Sequence, residues 1–203
     1  NLADLFEIVA EAVPDRIAFI CGEKRLSFRE LDQRANQIAV ALQQNGVQRG
    51  DNVGIELFNS SEYLEAFFAC CKIGAAPANV NYRYVADELK HLLDSLQLQA
   101  LFYDASVASE VQQVAPKLSH LKLCIQTGAP QIGVTGAVHY DTLLASGKAA
   151  LVDNDRHDND LYLLCTGGTT GLPKGVVWPH KSLFMSALGG GGIYFQRPPI
   201  EKP

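Results

Sequence analysis

The sequence predicts an α/β fold in which a mostly parallel sheet is flanked by helices. From residue 1 to residue 127, segments with apolar residues at helical spacing alternate with short apolar runs that are typical of strands. The helical segments are long enough to act as crossover connections between parallel strands. Helices that connect parallel strands in this way pack against the sheet, so we expect both faces to be covered.

Each element has its own signal in the sequence. Ser27 and Glu30 form a capping-box pair that opens the second helix, and Asn59 with Glu62 is expected to open the third. Glycine or asparagine follows several of the helical segments, as is typical of helix ends. Helices are expected near residues 1–13, 27–44, 59–73, 85–96, 106–115 and 141–145. Strands are expected near residues 16–21, 52–58, 76–79, 99–104 and 121–126.

Composition and charge limit the classes of function. With 203 residues, 47% of them hydrophobic, the chain can form one domain, or one domain and the beginning of another. A net charge of −5 argues against a general nucleic-acid surface. No apolar run is long enough to cross a bilayer, and the start has no signal-peptide pattern. Five cysteines without a C-x-x-C pair favour a reducing, cytoplasmic location.

Residues 163–177, LLCTGGTTGLPKGVV, raise the question of a bound ligand. They do not fit the phosphate loop G-x-x-x-x-G-K-[ST], in which a glycine precedes the lysine, a hydroxyl follows it and a helix begins there. Pro173 precedes Lys174, Gly175 follows it, and residues 176–179 are typical of a strand. Because proline favours an extended residue before it, this loop cannot lead directly into a helix.

The chemistry of the stretch nevertheless suits a polyphosphate. Glycines can adopt positive φ and let backbone N–H groups point into one anion-binding concavity. Threonine hydroxyls add donors, and lysine adds a positive charge. The groups expected to bind phosphate are Thr166, Gly167, Gly168, Thr169, Thr170, Gly171 and Lys174. The alternative is a hairpin loop that is merely rich in turn residues.

The acidic residues before this stretch do not predict a cation site. An EF-hand loop that began at Asp153 would need glycine and glutamate where the chain has Asp158 and Leu164. We therefore interpret residues 147–160 as a polar, solvated connector.

Two further residues near the glycine-rich stretch were candidates for chemistry. His180 is close to it in sequence, but it is equally suited to cap a helix that begins near Lys181. Cys165 has no evident basic partner, so the sequence does not support a covalent nucleophile.

Residues 165–180, CTGGTTGLPKGVVWPH, resemble the signature loop of the adenylate-forming enzymes, which include acyl-CoA synthetases, firefly luciferases and peptide-synthetase adenylation domains. Residues 26–84 resemble the amino-terminal half of the large domain of that family. Within residues 75–93, Asn81, Arg83 and the pair Glu88–Leu89 match the N-x-R-x-x-x-x-E-L form of acyl-CoA synthetases. Gly168 replaces the serine of many members, as in some fatty-acyl and steroid-carboxylate CoA ligases.

The resemblance implies a two-step ligase. A fatty or steroid-type carboxylic acid would attack the α-phosphate of ATP with the help of Mg²⁺, and coenzyme A would then displace AMP from the acyl-adenylate. The residues from Thr166 to Gly171 would contact the β- and γ-phosphates, and Lys174 would neutralise their charge. The essential adenylation lysine of such enzymes lies near their far carboxyl end, so no catalytic residue is assigned here.

The same resemblance implies that residues 1–203 are the truncated amino-terminal part of an adenylation (AMP-binding) domain. The phosphate loop would lie at residues 165–175, and the small carboxyl-terminal domain would be absent. Such a chain is not expected to complete adenylation alone, because catalysis depends on positioning by the missing parts. The alternatives are another adenylating enzyme (a peptide-synthetase, luciferase-like or aryl-CoA ligase type) or a non-catalytic interaction module that retains the fold. The oligomeric state is left open.

Overall fold

A computed structural model of the chain describes residues 1–129, 134–148, 155–168 and 171–190. Its helices are α1 Leu2–Ala12, α2 Phe28–Gln44, α3 Ser61–Lys72, α4 Ala86–Ser95, α5 Ala108–Val114, α6 Tyr140–Ser146 and α7 His180–Ser186. Its strands are β1 Ile17–Cys21, β2 Lys24–Ser27, β3 Asn52–Glu56, β4 Ala76–Asn79, β5 Leu98–Asp104, β6 Leu123–Thr127, β7 Val138–His139, β8 Leu161–Gly168 and β9 Gly171–Pro179. Short 3₁₀ turns at Ala105–Val107 and Ala115–Lys117 flank α5.

The main sheet has seven strands in the order β7-β6-β5-β3-β4-β8-β9. Every neighbouring pair is parallel except β8 and β9, which form an antiparallel hairpin at one edge. The predicted mostly parallel sheet is therefore confirmed. Strands β1 and β2 form a separate antiparallel pair.

Helices cover both faces of this sheet, as the alternating pattern predicts. Val53 and Ile55 of β3 belong to a buried cluster that packs against α2, α3 and α6. Leu98 and Leu101 of β5 belong to a second cluster, which packs against α4 and α5 on the opposite face. Strand β5 contributes to both clusters, with Phe102 in the first and Leu101 in the second, because successive residues of a strand point to opposite faces.

The order of the strands defines one end of the sheet as the place for a ligand. The chain goes from β3 to β4 on one side and then returns to β5 on the other side of β3. In doubly wound sheets, ligands bind outside the carboxyl ends of the strands, near the point where the strand order reverses. Because β8 is parallel to β4, its carboxyl end lies at this same end of the sheet.

Several local predictions need correction. The side chain of Ser60, not Asn59, caps α3 by accepting a hydrogen bond from the Tyr63 N–H at 3.4 Å. The sequence pattern also missed β2 and the two-residue strand β7, because such short strands show no periodicity that can be read. Within the described ranges, no helix is both long and apolar enough to cross a membrane.

Candidate functional site

The hairpin of β8 and β9 extends beyond the rest of the sheet. Strand β4 pairs with β8 only at Ala78 with Leu163 and at Asn79 with Leu164. The strand continues to Gly168, so its last residues project about 13 Å past the end of β4 at about 3.3 Å per residue. The two strands pair as an antiparallel hairpin, which projects from the carboxyl end of the sheet.

The pairing within the hairpin places Thr166 opposite Lys174. Directly opposite residues of an antiparallel pair point to the same face, with Cβ atoms about 5 Å apart. Both residues are exposed, so a hydroxyl and an ammonium group face solvent side by side. A bulge follows Thr166, after which Gly168 pairs with Gly171. Residues Thr169 and Thr170, which the sequence also predicts as phosphate ligands, lie outside the described residues.

The glycines of the hairpin do not adopt the conformation that the sequence suggested. Gly167 and Gly171 lie in extended strands, and neither has φ in the left-handed region. The reason is that cross-strand pairing holds both arms extended. A Cβ atom at either position would meet no other atom within 4 Å. Their lack of side chains therefore leaves the backbone open to a close approach from solvent.

Two contacts fix the base of the hairpin, and sequence reasoning found neither. The Cys165 N–H donates a hydrogen bond to Oδ1 of Asn79 at 2.6 Å. On the other arm, a Cβ atom added to Gly175 would lie 2.7 Å from the Cδ2 atom of Leu96. Asn79 ends a predicted strand at the carboxyl end of the sheet, and that position was the one available signal.

Cys165 itself is a buried core residue. Its side chain is 8% exposed and packs in the cluster beneath α4 and α5. Burial raises the pKa of the thiol to about 11, so it stays protonated at neutral pH.

His180 lies at the opposite end of the hairpin from Thr166 and Lys174. Six residue-to-residue steps along extended strand, about 20 Å, separate it from Lys174. It is 1% exposed, its Nδ1 atom accepts a hydrogen bond from the Leu2 N–H at 3.4 Å, and burial lowers its pKa to about 4 although Asp160 opposes that shift. Pro179 holds the N-cap position of α7, so His180 neither caps the helix nor joins the site.

The described end of the acidic connector, residues 155–160, is organised around one buried carboxylate. Asp160 pairs with Arg49 and accepts hydrogen bonds from the Asn1 side chain at 2.8 Å and from the His157 N–H at 2.9 Å. Residues 149–154 of the connector lie outside the described residues. In the parts of the chain that the structure describes, no three His, Cys, Asp or Glu side chains converge as a metal-binding group.

An apolar cavity of about 510 Å³ lies on the same side of β8 as Thr166. Tyr162, which is four residues before Thr166 and therefore on the same strand face, forms part of its wall. Helices α1, α3 and α7 supply most of the rest. The lining suits a hydrocarbon group or an apolar protein surface, not a phosphate.

Together, these features define a doubly wound α/β protein with a glycine-rich hairpin at the carboxyl end of its parallel strands. A family model described as AMP-binding enzyme matches residues 6–198, and the chain belongs to that family.

Known relatives agree with this assignment. The chain is 38% identical over 193 residues to a medium/long-chain-fatty-acid--CoA/3-oxocholest-4-en-26-oate--CoA ligase of Mycobacterium tuberculosis, which covers 94% of this chain and 35% of the relative. It is 37% identical over 198 residues to a 3-oxocholest-4-en-26-oate--CoA ligase of Rhodococcus rhodochrous, covering 96% of this chain and 35% of the relative. The crystal structure of a long-chain-fatty-acid-CoA ligase from Archaeoglobus fulgidus superposes with a TM-score of 0.79 at 26% identity, over 94% of this chain and 39% of that one. The chain thus spans about a third of the length of the curated relatives it matches.

Proposed function

We propose that this chain supplies the triphosphate-binding hairpin of an AMP-forming acyl-CoA synthetase. The enzyme would activate a carboxylic acid with ATP to an acyl-adenylate and then transfer the acyl group to coenzyme A. The observation that carries the proposal is the cross-strand pair of Thr166 and Lys174, which projects past the carboxyl end of the sheet. In this proposal, residues 1–203 form the amino-terminal part of the AMP-binding domain.

The hairpin residues have distinct tasks in this proposal. Negative charge grows on the pyrophosphate as it leaves, and the ammonium group of Lys174 neutralises part of it. The Thr166 hydroxyl and the N–H groups of Gly167, Gly168 and Gly171 donate hydrogen bonds to the β- and γ-phosphates. The hydroxyls of Thr169 and Thr170 are proposed as further donors, on sequence alone.

Magnesium would be held mainly by the phosphate oxygens of ATP, because the described residues offer no cluster of three potential ligands. It would supply charge neutralisation when bound with the nucleotide. The hydroxyl and backbone donors of the hairpin are compatible with such a complex, since they contact phosphate oxygens and leave others free for the metal.

The names of the relatives support a fatty or steroid-type acid as the substrate. Two of them are ligases for 3-oxocholest-4-en-26-oate, and one also acts on medium- and long-chain fatty acids by its name. We also propose a cytoplasmic location, which the five free cysteines support because a reducing compartment keeps thiols unpaired.

The proposal is tested with the ¹⁵N-labelled 203-residue chain. It is titrated with inorganic tripolyphosphate and with ATP and magnesium, and amide shifts are followed by NMR. Lys174→Ala should weaken binding about tenfold or more, because a hydrogen bond from a charged group contributes about 1.5–3 kcal/mol. Lys181→Ala is the matched control, since this lysine is exposed and pairs with Asp158 away from the hairpin.

The expected result is a set of shifts at Thr166, Gly167 and Gly171 that saturates in the wild type and in Lys181→Ala. Equal affinities of the two lysine variants, or shifts confined to other parts of the chain, would refute the proposed phosphate site.

A further inference from the structure

Where the hairpin extends past the end of β4, its backbone is hydrogen-bonded to a side chain instead of a neighbouring strand. The last residue of β4 in register with β8 is Asn79, opposite Leu164. The next residue of β8 is Cys165, and β4 offers no further backbone carbonyl to it. Its N–H is bonded instead to Oδ1 of Asn79 at 2.6 Å. The side chain therefore continues the ladder by one more bond after the strand has ended.

This bond acts one step away from the proposed phosphate ligands. Cys165 pairs with Gly175 across the hairpin, and the next pair is Thr166 with Lys174. The Cys165–Gly175 pair is thus the last one in which β8 is bonded to a residue of β4. Beyond it, the described arms pair as strands only with each other, although Pro173 of β9 is buried.

The second arm is held at the same level by packing. Gly175 lies so close to Leu96, the residue after α4, that a Cβ atom there would be 2.7 Å from the leucine Cδ2 atom. One arm is therefore fixed by a hydrogen bond and the other by close contact. Both contacts act on a single cross-strand pair, which sets the direction in which the hairpin projects.

We propose that Asn79 is a positioning residue for nucleotide binding: its side-chain oxygen, through the Cys165 amide, sets where Thr166 and Lys174 meet the triphosphate. The inference rests on the proposed function, because it assumes that the hairpin binds phosphate. It assigns to β4 a role that goes beyond sheet formation, since the side chain acts on the ligand groups through the backbone of β8.

The test compares the same substitution at two asparagines. Asn79→Ala removes the bond to Cys165. Asn81→Ala is the matched control, because its side chain also accepts a backbone bond, from the Arg83 N–H at 3.0 Å, but within its own turn. Both variants and the wild-type 203-residue chain are titrated with inorganic tripolyphosphate and with ATP and magnesium.

Hydrogen exchange of the Cys165 amide is measured in the same samples. Asn79→Asp is added for this readout, because it keeps an acceptor oxygen at the same place. Its affinity for phosphate is not compared, since the added negative charge would itself repel the ligand.

We expect Asn79→Ala to weaken tripolyphosphate and ATP binding about three- to tenfold, in line with the loss of one hydrogen bond. The Cys165 amide should exchange faster by a similar factor in Asn79→Ala and return towards the wild-type rate in Asn79→Asp. Asn81→Ala should leave both quantities unchanged.

Two results would overturn the positioning role while the proposed function stands. One is an unchanged affinity in Asn79→Ala together with faster exchange at Cys165. The other is a Cys165 amide that exchanges at the wild-type rate in that variant. If the wild type binds neither phosphate ligand, or binds them independently of Lys174, the proposed function fails and the positioning role fails with it.

Discussion

Glu56 gives the most informative test of the structure, because an ionisable group lies in the core without a partner. It is the last residue of β3 and is fully buried. Among the described residues, neither of its carboxyl oxygens has a hydrogen-bond partner. Burial, with a smaller contribution from the Glu110 carboxylate, raises its pKa from 4.5 to about 8. We therefore expect Glu56 to be protonated in the folded protein at neutral pH.

The raised pKa predicts how stability depends on pH. The folded state holds the Glu56 proton up to about pH 8, whereas the unfolded chain releases it near pH 4.5. The unfolded state therefore binds fewer protons between these values, so the free energy of unfolding falls as the pH rises through this window. At about 1.4 kcal/mol per pKa unit, the fall between pH 5 and pH 8 amounts to about 3 to 4 kcal/mol. That is a large share of the roughly 5–15 kcal/mol that stabilises a typical domain.

Glu56→Gln should remove this pH dependence, since the amide has nearly the same shape and does not ionise. Urea unfolding at pH 5 and pH 8, followed by the fluorescence of the single tryptophan, Trp178, measures it. The difference in the free energy of unfolding between the variant and the wild type should shift in favour of the variant by about 3 kcal/mol when the pH rises from 5 to 8. Glu11→Gln, which changes an exposed glutamate of α1, should keep the wild-type profile. If the wild type and Glu56→Gln lose stability in parallel over this range, Glu56 is not buried and unpaired as described.

Three other substitutions test single contacts through the same unfolding measurement. Gly175→Ala should destabilise by about 1–2 kcal/mol through overpacking at the base of the hairpin, while Gly171→Ala, which points a methyl group into open space, should be close to neutral; equal effects would contradict the close packing. Ser60→Ala should lower the free energy of unfolding by about 1 kcal/mol and Asn59→Ala by clearly less, because Ser60 is the N-cap of α3. A larger effect of Asn59→Ala would show that Asn59 caps the helix, as the sequence suggested. Lys72→Met should cost about 1–3 kcal/mol, because it removes the buried cation from the carboxylates of Glu7 and Asp32; a neutral effect would show that these ion pairs do not form.

The parallel sheet could be predicted from the sequence because its strands and helices each have a local signal, namely hydrophobic periodicity, a helix cap or a helix end. The second helix illustrates this, since Ser27 and Glu30 form the expected capping box and the helix ends at Gln44, where asparagine and glycine follow. The covered sheet follows from the same periodicity, because helices between parallel strands must pack on its faces. A short element such as β7 offers no such period, and its pairing with β6 depends on residues far away in the chain.

For the candidate site, the sequence supplies residue types but not the geometry of the hairpin. Glycines, threonines and Lys174 indicated phosphate chemistry, and the structure describes five of the seven proposed ligands on one hairpin. The conformation differs, because Gly167 and Gly171 are extended. No local signal could show that the Asn79 side chain accepts a hydrogen bond from the Cys165 N–H, since the two residues are 86 positions apart.

The extended conformation has a physical consequence for how such a site can work. A phosphate loop that leads into a helix has its N–H groups fixed by the first turn, and the helix dipole points at the ligand. Here Pro173 and the strand after it exclude such a helix, so in the proposed site the positive charge comes from Lys174 and the hydrogen-bond donors come from the arms of the hairpin. Beyond Cys165, the described arms pair as strands only with each other, and Pro173 of β9 is buried. Under the proposed function, the contacts at the base of the hairpin therefore help to set where the proposed phosphate ligands point.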